Sequence, residues 1–340
     1  MKIGVRSNSR LLVCLALLFA LMSGTAHDAA PENAAFQEWL EGIKRQALER
    51  GISKETVALL NNIEPDERVI GFDRRQPEFV QTFDEYLDAR VTDDRIRIAR
   101  EHFIEHRETL ETIGDHYDVE PRYLVAFWGL ESSFGRYQGK YSILRSLATL
   151  AHDPRRSEFF TSELFAALRI LDEGHVPPDE FVGGWAGAMG QNQFLPSSFL
   201  RYAQDFDGDG RKNIWTNEVD VWASIANYLR TEGWVRGAGW GSKATLSEPV
   251  DYESLRPERV SPGCRALRHQ TKKMSLENWA AMGVTPENPL PEDNRWALLV
   301  PGDGDESDWL IGGNFRTILH YNCANKYAVS VGLLADAIIE

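Results

Sequence analysis

Along most of this chain apolar residues return every three or four positions, the period of a helix buried on one side. Phe36, Leu40, Ile43 and Ala47 form one such stripe, and Ile96, Ala99, Phe103 and Leu110 form another. Ser53-x-x-Thr56 and Thr92-Asp93-Asp94 offer side-chain oxygens as helix caps. Residues 33–118 therefore read as helical, broken by a polar connection at 61–77 that contains Pro65 and Gly71. Pro121 suits the first turn of the next helix, where a missing N–H costs nothing. The pattern predicts further helices at 156–173, 197–204 and 220–232. After Gly233-Trp234 it dissolves. Residues 235–312 mix Gly, Pro, scattered aromatics and short apolar runs such as Trp296 to Val300. That texture predicts a small β-rich insertion with one short helix near 276–282. An apolar helix from Tyr327 to Ile339 follows it.

The leading residues obey another pattern. Lys2, Arg6 and Arg10 precede a short apolar run from Leu11 to Met22, and Gly24-Thr25-Ala26 offers small residues for cleavage. Residues 1–26 read as a secretory signal; the run is short and wrongly flanked for a membrane span. Cys14 sits inside the apolar run rather than just after it, which argues against a lipoprotein processing site. Cleavage after Ala26 leaves 314 residues, about two domains in length, and moves the net charge from −14 to −17. So acidic a protein is poorly suited to nucleic acid or to an anionic membrane surface. Cys264 and Cys323 would then be the remaining cysteines. An oxidising compartment permits one disulfide, but sequence does not give their separation in space.

Candidate chemistry begins at Phe127-Trp128-Gly129-Leu130-Glu131-Ser132-Ser133-Phe134-Gly135, where one carboxylate sits among apolar and aromatic residues. Burial there disfavours the ionised form, so the carboxyl keeps a proton near neutrality. A general acid for breaking a glycosidic bond needs that property. The plain alternative is a Glu held by hydrogen bonds at a helix C-terminus. A second stretch runs from Gly183 to Ser198. Its glycines allow close approach of backbone to a ligand, and Asn192 and Gln193 offer amides suited to sugar hydroxyl and acetamido groups. The alternative is a tight turn leading into a helix capped by Ser197 or Ser198.

A third stretch, Asp205-Phe206-Asp207-Gly208-Asp209-Gly210-Arg211, matches the start of an EF-hand loop. Asp205, Asp207 and Asp209 repel one another unless a cation neutralises them, and position 7 offers the carbonyl of Arg211. Position 12 is Thr216, so the last ligand falls to Glu218 or Asp220 or is missing; Asp220 is favoured. The expected ion is a structural Ca2+. His102-Phe103-Ile104-Glu105-His106 fits the H-x-x-E-H pattern of some zinc peptidases. With no convincing third ligand, a solvated helix face is the favoured reading. Serines at 132, 133, 197 and 198 lack a His/Asp constellation or a G-x-S-x-G elbow, and there is no phosphate-binding G-x-x-x-x-G-K-[ST] loop.

Taken together, G-L-E-S-S-F-G, A-G-A-M-G-Q-N-Q-F-L-P-S-S, D-F-D-G-D-G-R-K-N-I-W and A-S-I-A-N-Y-L-R-T-E-G-W resemble the lytic murein transglycosylase B family. The late region from Asn314-Phe315 to Tyr321-Asn322 follows in the same order, so the resemblance runs from about Phe79 to Leu334. It implies a mainly α (α+β) protein: a lysozyme-like helical core at 119–234 with an EF-hand-like calcium loop, and a helical domain from 27–118 with the C-terminal helix 325–340. A small β-rich domain at 235–312 and a return segment at 313–324 lining the cleft complete it.

The resemblance also implies an exported, periplasmic enzyme that cleaves the β-1,4 bond between N-acetylmuramic acid and N-acetylglucosamine. Peptidoglycan glycan strands would be its partner, with room for contacts to cell-wall synthesis proteins. By motif position Glu131 falls on the acid/base. Gln193, Tyr321, Asn322, Tyr327 and Tyr86 fall on groups lining the sugar cleft, with Met189 and Phe194 as apolar walls. Gly184 stands where many relatives carry Ser, removing one side-chain hydrogen bond. The calcium loop has one residue more than some relatives before Asp220.

One catalytic carboxylate, rather than the pair of ordinary glycosidases, shapes the expected mechanism. Glu131 would act as acid and then as base, with the muramic acid C6 hydroxyl attacking to give a 1,6-anhydro product. Two other readings stay open: a hydrolytic muramidase using the same Glu131, and a noncatalytic calcium-dependent peptidoglycan-binding protein.

Overall fold

The computed structural model describes residues 29–75, 81–258, 263–300 and 308–340; the expected signal segment lies outside them. Helix α1 (Ala29–Glu49) buries Phe36, Leu40, Ile43 and Ala47, the stripe read from the sequence. It is followed by α2 (Lys54–Val57), α3 (Glu67–Arg75), α4 (Phe83–Arg90), α5 (Asp93–Glu105) and α6 (Arg107–Tyr117). Ser53 and Thr92 cap α2 and α5, their hydroxyls accepting the N–H groups of Thr56 and Arg95. Helix α3 occupies a segment expected to be a polar connection. Val69 and Asp73 are buried there, and Asp73 is held by Arg155 and Arg156. Those partners lie far along the chain, so no local pattern announces the helix.

Helix α7 (Pro121–Ser132) starts at its proline and is the axis of the fold. Tyr123, Leu124, Val125, Ala126, Phe127, Trp128, Gly129 and Leu130 are all buried, so it is apolar around its whole circumference. The next helices are α8 (Ile143–His152), α9 (Ser157–Asp172), α10 (Pro196–Tyr202) and α11 (Glu218–Thr231). Then come α12 (Leu276–Ala281), α13 (Gly313–Tyr321) and α14 (Asn325–Ile339). Helices α9 to α12 and α14 fall close to their expected places, while α8 and α13 were not anticipated. Helices α5, α6, α11 and α14 surround α7, and α14 also touches α4 and α13. A two-stranded ribbon, β1 (Tyr141–Ser142) with β2 (Val182–Gly183), links the loop after α7 to the glycine-rich stretch.

Residues after α11 build an antiparallel sheet in the order β4-β3-β6-β5. Its strands are β3 (Gly241–Leu246), β4 (Val284–Pro286), β5 (Ala297–Leu298) and β6 (Asp308–Ile311). The sheet has its own apolar cluster, with Ala244, Leu255, Trp279, Val284, Trp296, Leu298 and Leu310 buried together. Asn314 closes the neck of this insertion. Its Oδ1 accepts the N–H of Val235 at 2.9 Å, and its Nδ2 donates to the carbonyl of Val235 at 2.9 Å. Trp240 fastens the sheet to α14, donating through Nε1 to Asp336 at 2.8 Å and packing where any Cβ on Gly332 would lie 2.2 Å from its ring.

Cys264 and Cys323 form a disulfide with Cα atoms 5.4 Å apart, tying the insertion to the segment between α13 and α14. Cross-linking residues 59 apart removes unfolded-chain entropy worth about 4 kcal/mol. The double substitution Cys264→Ser, Cys323→Ser is predicted to lower the urea-unfolding free energy by about 2–4 kcal/mol. A loss within the error of the extrapolation would show that the bond is dispensable.

Candidate active site

Glu131 occupies the last turn of α7 and is only half-buried, whereas the helix before it is sealed in the core. The chain then turns sharply through three successive residues with positive φ: Ser133 at 50°, Phe134 at 60° and Gly135 at 78°. Left-handed conformations cost a side-chain-bearing residue about 1–2 kcal/mol each, so the turn is held by its surroundings. Ser132 Oγ accepts the N–H of Gly135 at 3.0 Å, and the Ser133 N–H donates to the Gly129 carbonyl at 3.2 Å. Gln191 buttresses the turn from the second motif. Its Oε1 accepts from Trp128 Nε1 at 2.6 Å, and its Nε2 donates to the Trp215 carbonyl at 3.0 Å. A Cβ on Gly135 would sit 2.4 Å from that same Oε1, which is why this position needs glycine.

Helix α14 supplies the partner of the carboxylate. Tyr327 donates its hydroxyl to Glu131 Oε1 at 2.5 Å. Burial, reinforced by the charge of Glu131, pushes the Tyr327 phenol well above its ordinary pKa, so it remains a donor. Tyr321, at the end of α13, is shifted in the same direction by the same causes and donates to the carbonyl of Asn192 at 2.6 Å. Its ring lies between Phe127 and Tyr228, with centroids 4.8 and 4.7 Å away, and Phe194 is 5.7 Å off. Asn322 follows at the C-cap of α13 and is half-buried. Tyr86 from α4 lies near enough to Tyr327 to add to its shift, under the Arg90 guanidinium at 5.2 Å. Four expected cleft residues, Glu131, Tyr321, Tyr327 and Tyr86, thus converge from α7, α13, α14 and α4.

The glycine-rich stretch is part turn and part scaffold. Gly183 belongs to β2, and Met189 N–H donates to the Phe194 carbonyl at 2.8 Å. Gln193 has φ of 52°, and its Nε2 donates to the carbonyls of Gly190 at 2.8 Å and Gln138 at 3.2 Å. Gly184 faces it: a Cβ there would meet Gln193 Oε1 at 3.6 Å and Ala188 Cβ at 3.5 Å. A serine would fit, so this departure changes chemistry and not packing.

Two expectations are corrected by burial. Met189 and Phe194 are 0% and 2% exposed, so they back the cleft and do not face a ligand. Asn192 is also fully buried, with Nδ2 given to the Val221 carbonyl, so its side chain is no sugar contact in this conformation. The helix after this stretch is not capped by serine either. Leu195 is the N-cap, and buried Glu163 from α9 receives both the N–H and the hydroxyl of Ser197. Sequence reading passed over Gln191, Gln138 and Arg95. Arg95 is half-buried with Nη2 3.5 Å from Ser133 Oγ. A glutamine inside the second motif was visible as a polar residue among glycines; Arg95 gave no such signal on its helix.

In the acidic loop Asp205, Asp207 and Asp209 each bring a carboxylate oxygen within 4.8 Å of the others. The backbone curls around them, with Gly208 and Gly210 donating to Asp205 at 2.8 Å and Arg211 to Asp209 at 2.8 Å. Asp220 has a different task from the one expected. It is fully buried beneath the loop, where Oδ1 accepts from Phe206 at 2.8 Å and Oδ2 from Asn213 at 2.7 Å. It braces the loop and stands apart from the trio. Burial, with the charges of Asp207 and Asp205 added, pushes its pKa up to about 6. All-oxygen donors of like charge suit a hard cation such as Ca2+.

Glu131 thus stands at the end of a buried helix, braced by the second glycine-rich motif. The family model described as Transglycosylase SLT domain matches residues 35–336, and the chain belongs to that family. It is 35% identical over 256 residues to the membrane-bound lytic murein transglycosylase B of Escherichia coli strain K12. That match takes in 74% of this chain and 66% of the relative, just under two thirds of its length. SltB3 of Pseudomonas aeruginosa, solved in complex with NAG-NAM-pentapeptide, superposes with a TM-score of 0.81 at 38% identity, over 89% of this chain and 79% of that one. The same protein has been solved with NAG-anhNAM-pentapeptide. The Escherichia coli lytic transglycosylase Slt35 in complex with calcium superposes with a TM-score of 0.71 at 29% identity, over 90% and 93%. The resemblance carried by the motifs is thereby borne out, as is the mainly helical fold class.

Proposed function

We propose that this protein is an exported peptidoglycan lytic transglycosylase in which Glu131 serves as acid and then base. The observation that carries the reading is the Tyr327–Glu131 hydrogen bond at the end of a sealed helix. Other carboxylates of the region are committed elsewhere: Glu163 to Ser197, Glu232 to Tyr202 and His320, and Asp220 to the loop backbone. Glu131 protonates the glycosidic oxygen as the bond from it to the muramic acid C1 breaks, freeing the N-acetylglucosamine hydroxyl. The substrate's own acetamido carbonyl stabilises C1, with Asn322 or Tyr321 orienting that group. Tyr327 steadies the carboxylate left on Glu131. Glu131 then takes the C6 hydroxyl proton as O6 bonds to C1, closing the 1,6-anhydro ring and restoring the acid. No water is consumed, and the bound geometry lets the intramolecular attack outrun hydrolysis.

The complex of SltB3 with an anhydro-muropeptide supports this product. Mass spectrometry of muropeptides released from purified peptidoglycan is the test. Products lacking one water are expected; reducing ends would move the assignment to a muramidase, and no release would favour a binding protein. Among the described residues no helix is long and apolar enough to cross a membrane.

We place a structural Ca2+ on Asp205, Asp207, Asp209 and the Arg211 carbonyl, a reading supported by the calcium complex of Slt35. When bound, the ion neutralises the loop's repelling charges and fixes the start of α11. Removing Ca2+ with a chelator is predicted to lower the melting temperature by about 5 °C, the effect of losing a ligand held near a hundred times its Kd. Asp207→Asn is predicted to abolish that Ca2+ dependence. A melting curve indifferent to Ca2+ in the wild type would remove the ion from the account.

A further inference from the structure

The H-x-x-E-H run read as a solvated helix face has a partner that sequence does not reveal. His102, Glu105 and His106 lie at the corner between α5 and α6, and each offers a ligand atom within 4.8 Å of the others. Glu218, from the first turn of α11, borders this trio, with Oε2 3.7 Å from His106 Nε2. Glu105 Oε2 stands 3.8 Å from the same nitrogen. Both separations are too long for a hydrogen bond. They are close to the edge of a tetrahedron of ligands around Zn2+, about 3.4 Å for bonds near 2.1 Å.

The imidazoles are also held in place. The His102 ring packs against Trp128 and Phe134, with centroids 4.7 and 5.1 Å away, and the His106 ring against Trp222 at 5.0 Å. The two rings are nearly parallel, at 15°. His102 Nδ1 is buried without a hydrogen-bond partner, leaving polar demand at this corner that no protein group meets.

We infer that His102, Glu105 and His106 form a second metal site, selective for a borderline dication such as Zn2+, which draws in Glu218 from beside His106 as its fourth ligand and so cross-links the α5–α6 corner to α11. Two imidazoles and two carboxylates suit Zn2+, whereas the all-oxygen aspartate loop suits Ca2+. The sites therefore divide their ions by donor chemistry. The role is structural: the aromatic residues clasping His102 flank Glu131 in sequence, and a metal here would stiffen the turn that presents it.

The test is calorimetric titration of the metal-free protein with Zn2+ in excess Ca2+, with Co2+ as a visible-absorption probe of tetrahedral geometry. One equivalent is expected, along with a Zn2+-dependent rise in melting temperature. Glu218→Gln and His106→Gln should each weaken uptake at least tenfold. Glu105→Gln, at an exposed side chain, provides the decisive comparison if a histidine variant fails to fold. The inference is overturned by a wild type that takes up no Zn2+ or by uptake indifferent to the Glu105→Gln, Glu218→Gln pair.

Discussion

Replacing Glu131 by Gln is expected to reduce muropeptide release by about a thousandfold or more, in the upper part of the range for losing a general acid and base. The amide matches the carboxyl in size and keeps an oxygen for the Tyr327 hydroxyl, now 2.5 Å from Oε1. What it lacks is a proton to give to the glycosidic oxygen and a charge to take one back. Both halves of the reaction fail together, so the loss should fall on kcat with little change in substrate capture. The melting temperature should stay within a few degrees of the wild type, because the side chain is half-buried and its partner is retained. Activity surviving within tenfold would mean that another group supplies the proton. Folded protein with no activity, still retaining Ca2+, is the outcome the mechanism requires.

Gly139→Ala is expected to be the most damaging small change in the scaffold. Gly139 has φ of +92°, and a Cβ there would lie 2.1 Å from the carbonyl carbon and oxygen of Gly183 and 2.5 Å from the Gly184 nitrogen. Those are backbone atoms of the β1–β2 ribbon, so no side chain can swing aside. Strain in the left-handed region and overpacking together set the cost at about 3 kcal/mol or more. The contact is where the loop after Glu131 meets the glycine-rich stretch, so activity should fall beyond what lost stability explains. Denaturant unfolding and kcat measured on the folded fraction separate the two effects. Gly174, with φ of +76° and open space around its missing Cβ, is the control: Gly174→Ala should cost only about 1–2 kcal/mol. Equal losses at both positions would mean that the close approach is unimportant.

The helices were legible wherever burial imposed a local period. The stripe on α1, the proline opening α7 and the apolar run of α14 each carry their own signal. Helix α3 was not legible, because Asp73 is fixed by arginines from the segment before α9. The site divides in the same way. Glu131 stands out locally as one acid in an apolar run, and the aspartate loop by its spacing. The places of Met189, Asn192 and Asp220 depend on how α11 and α13 close over the second motif, which no window of the sequence contains. Likewise Glu218 comes beside His106 only through the packing of α11 against α6.

The hydroxyl that Glu131 meets arrives from a residue 196 positions later in the chain. A ribosome adds residues from the amino end, so a nascent polypeptide already long enough to form α7 has no Tyr327 to complete its acid. The pair of Glu131 and its hydroxyl partner is thus completed only when α14 docks, among the last events of chain synthesis.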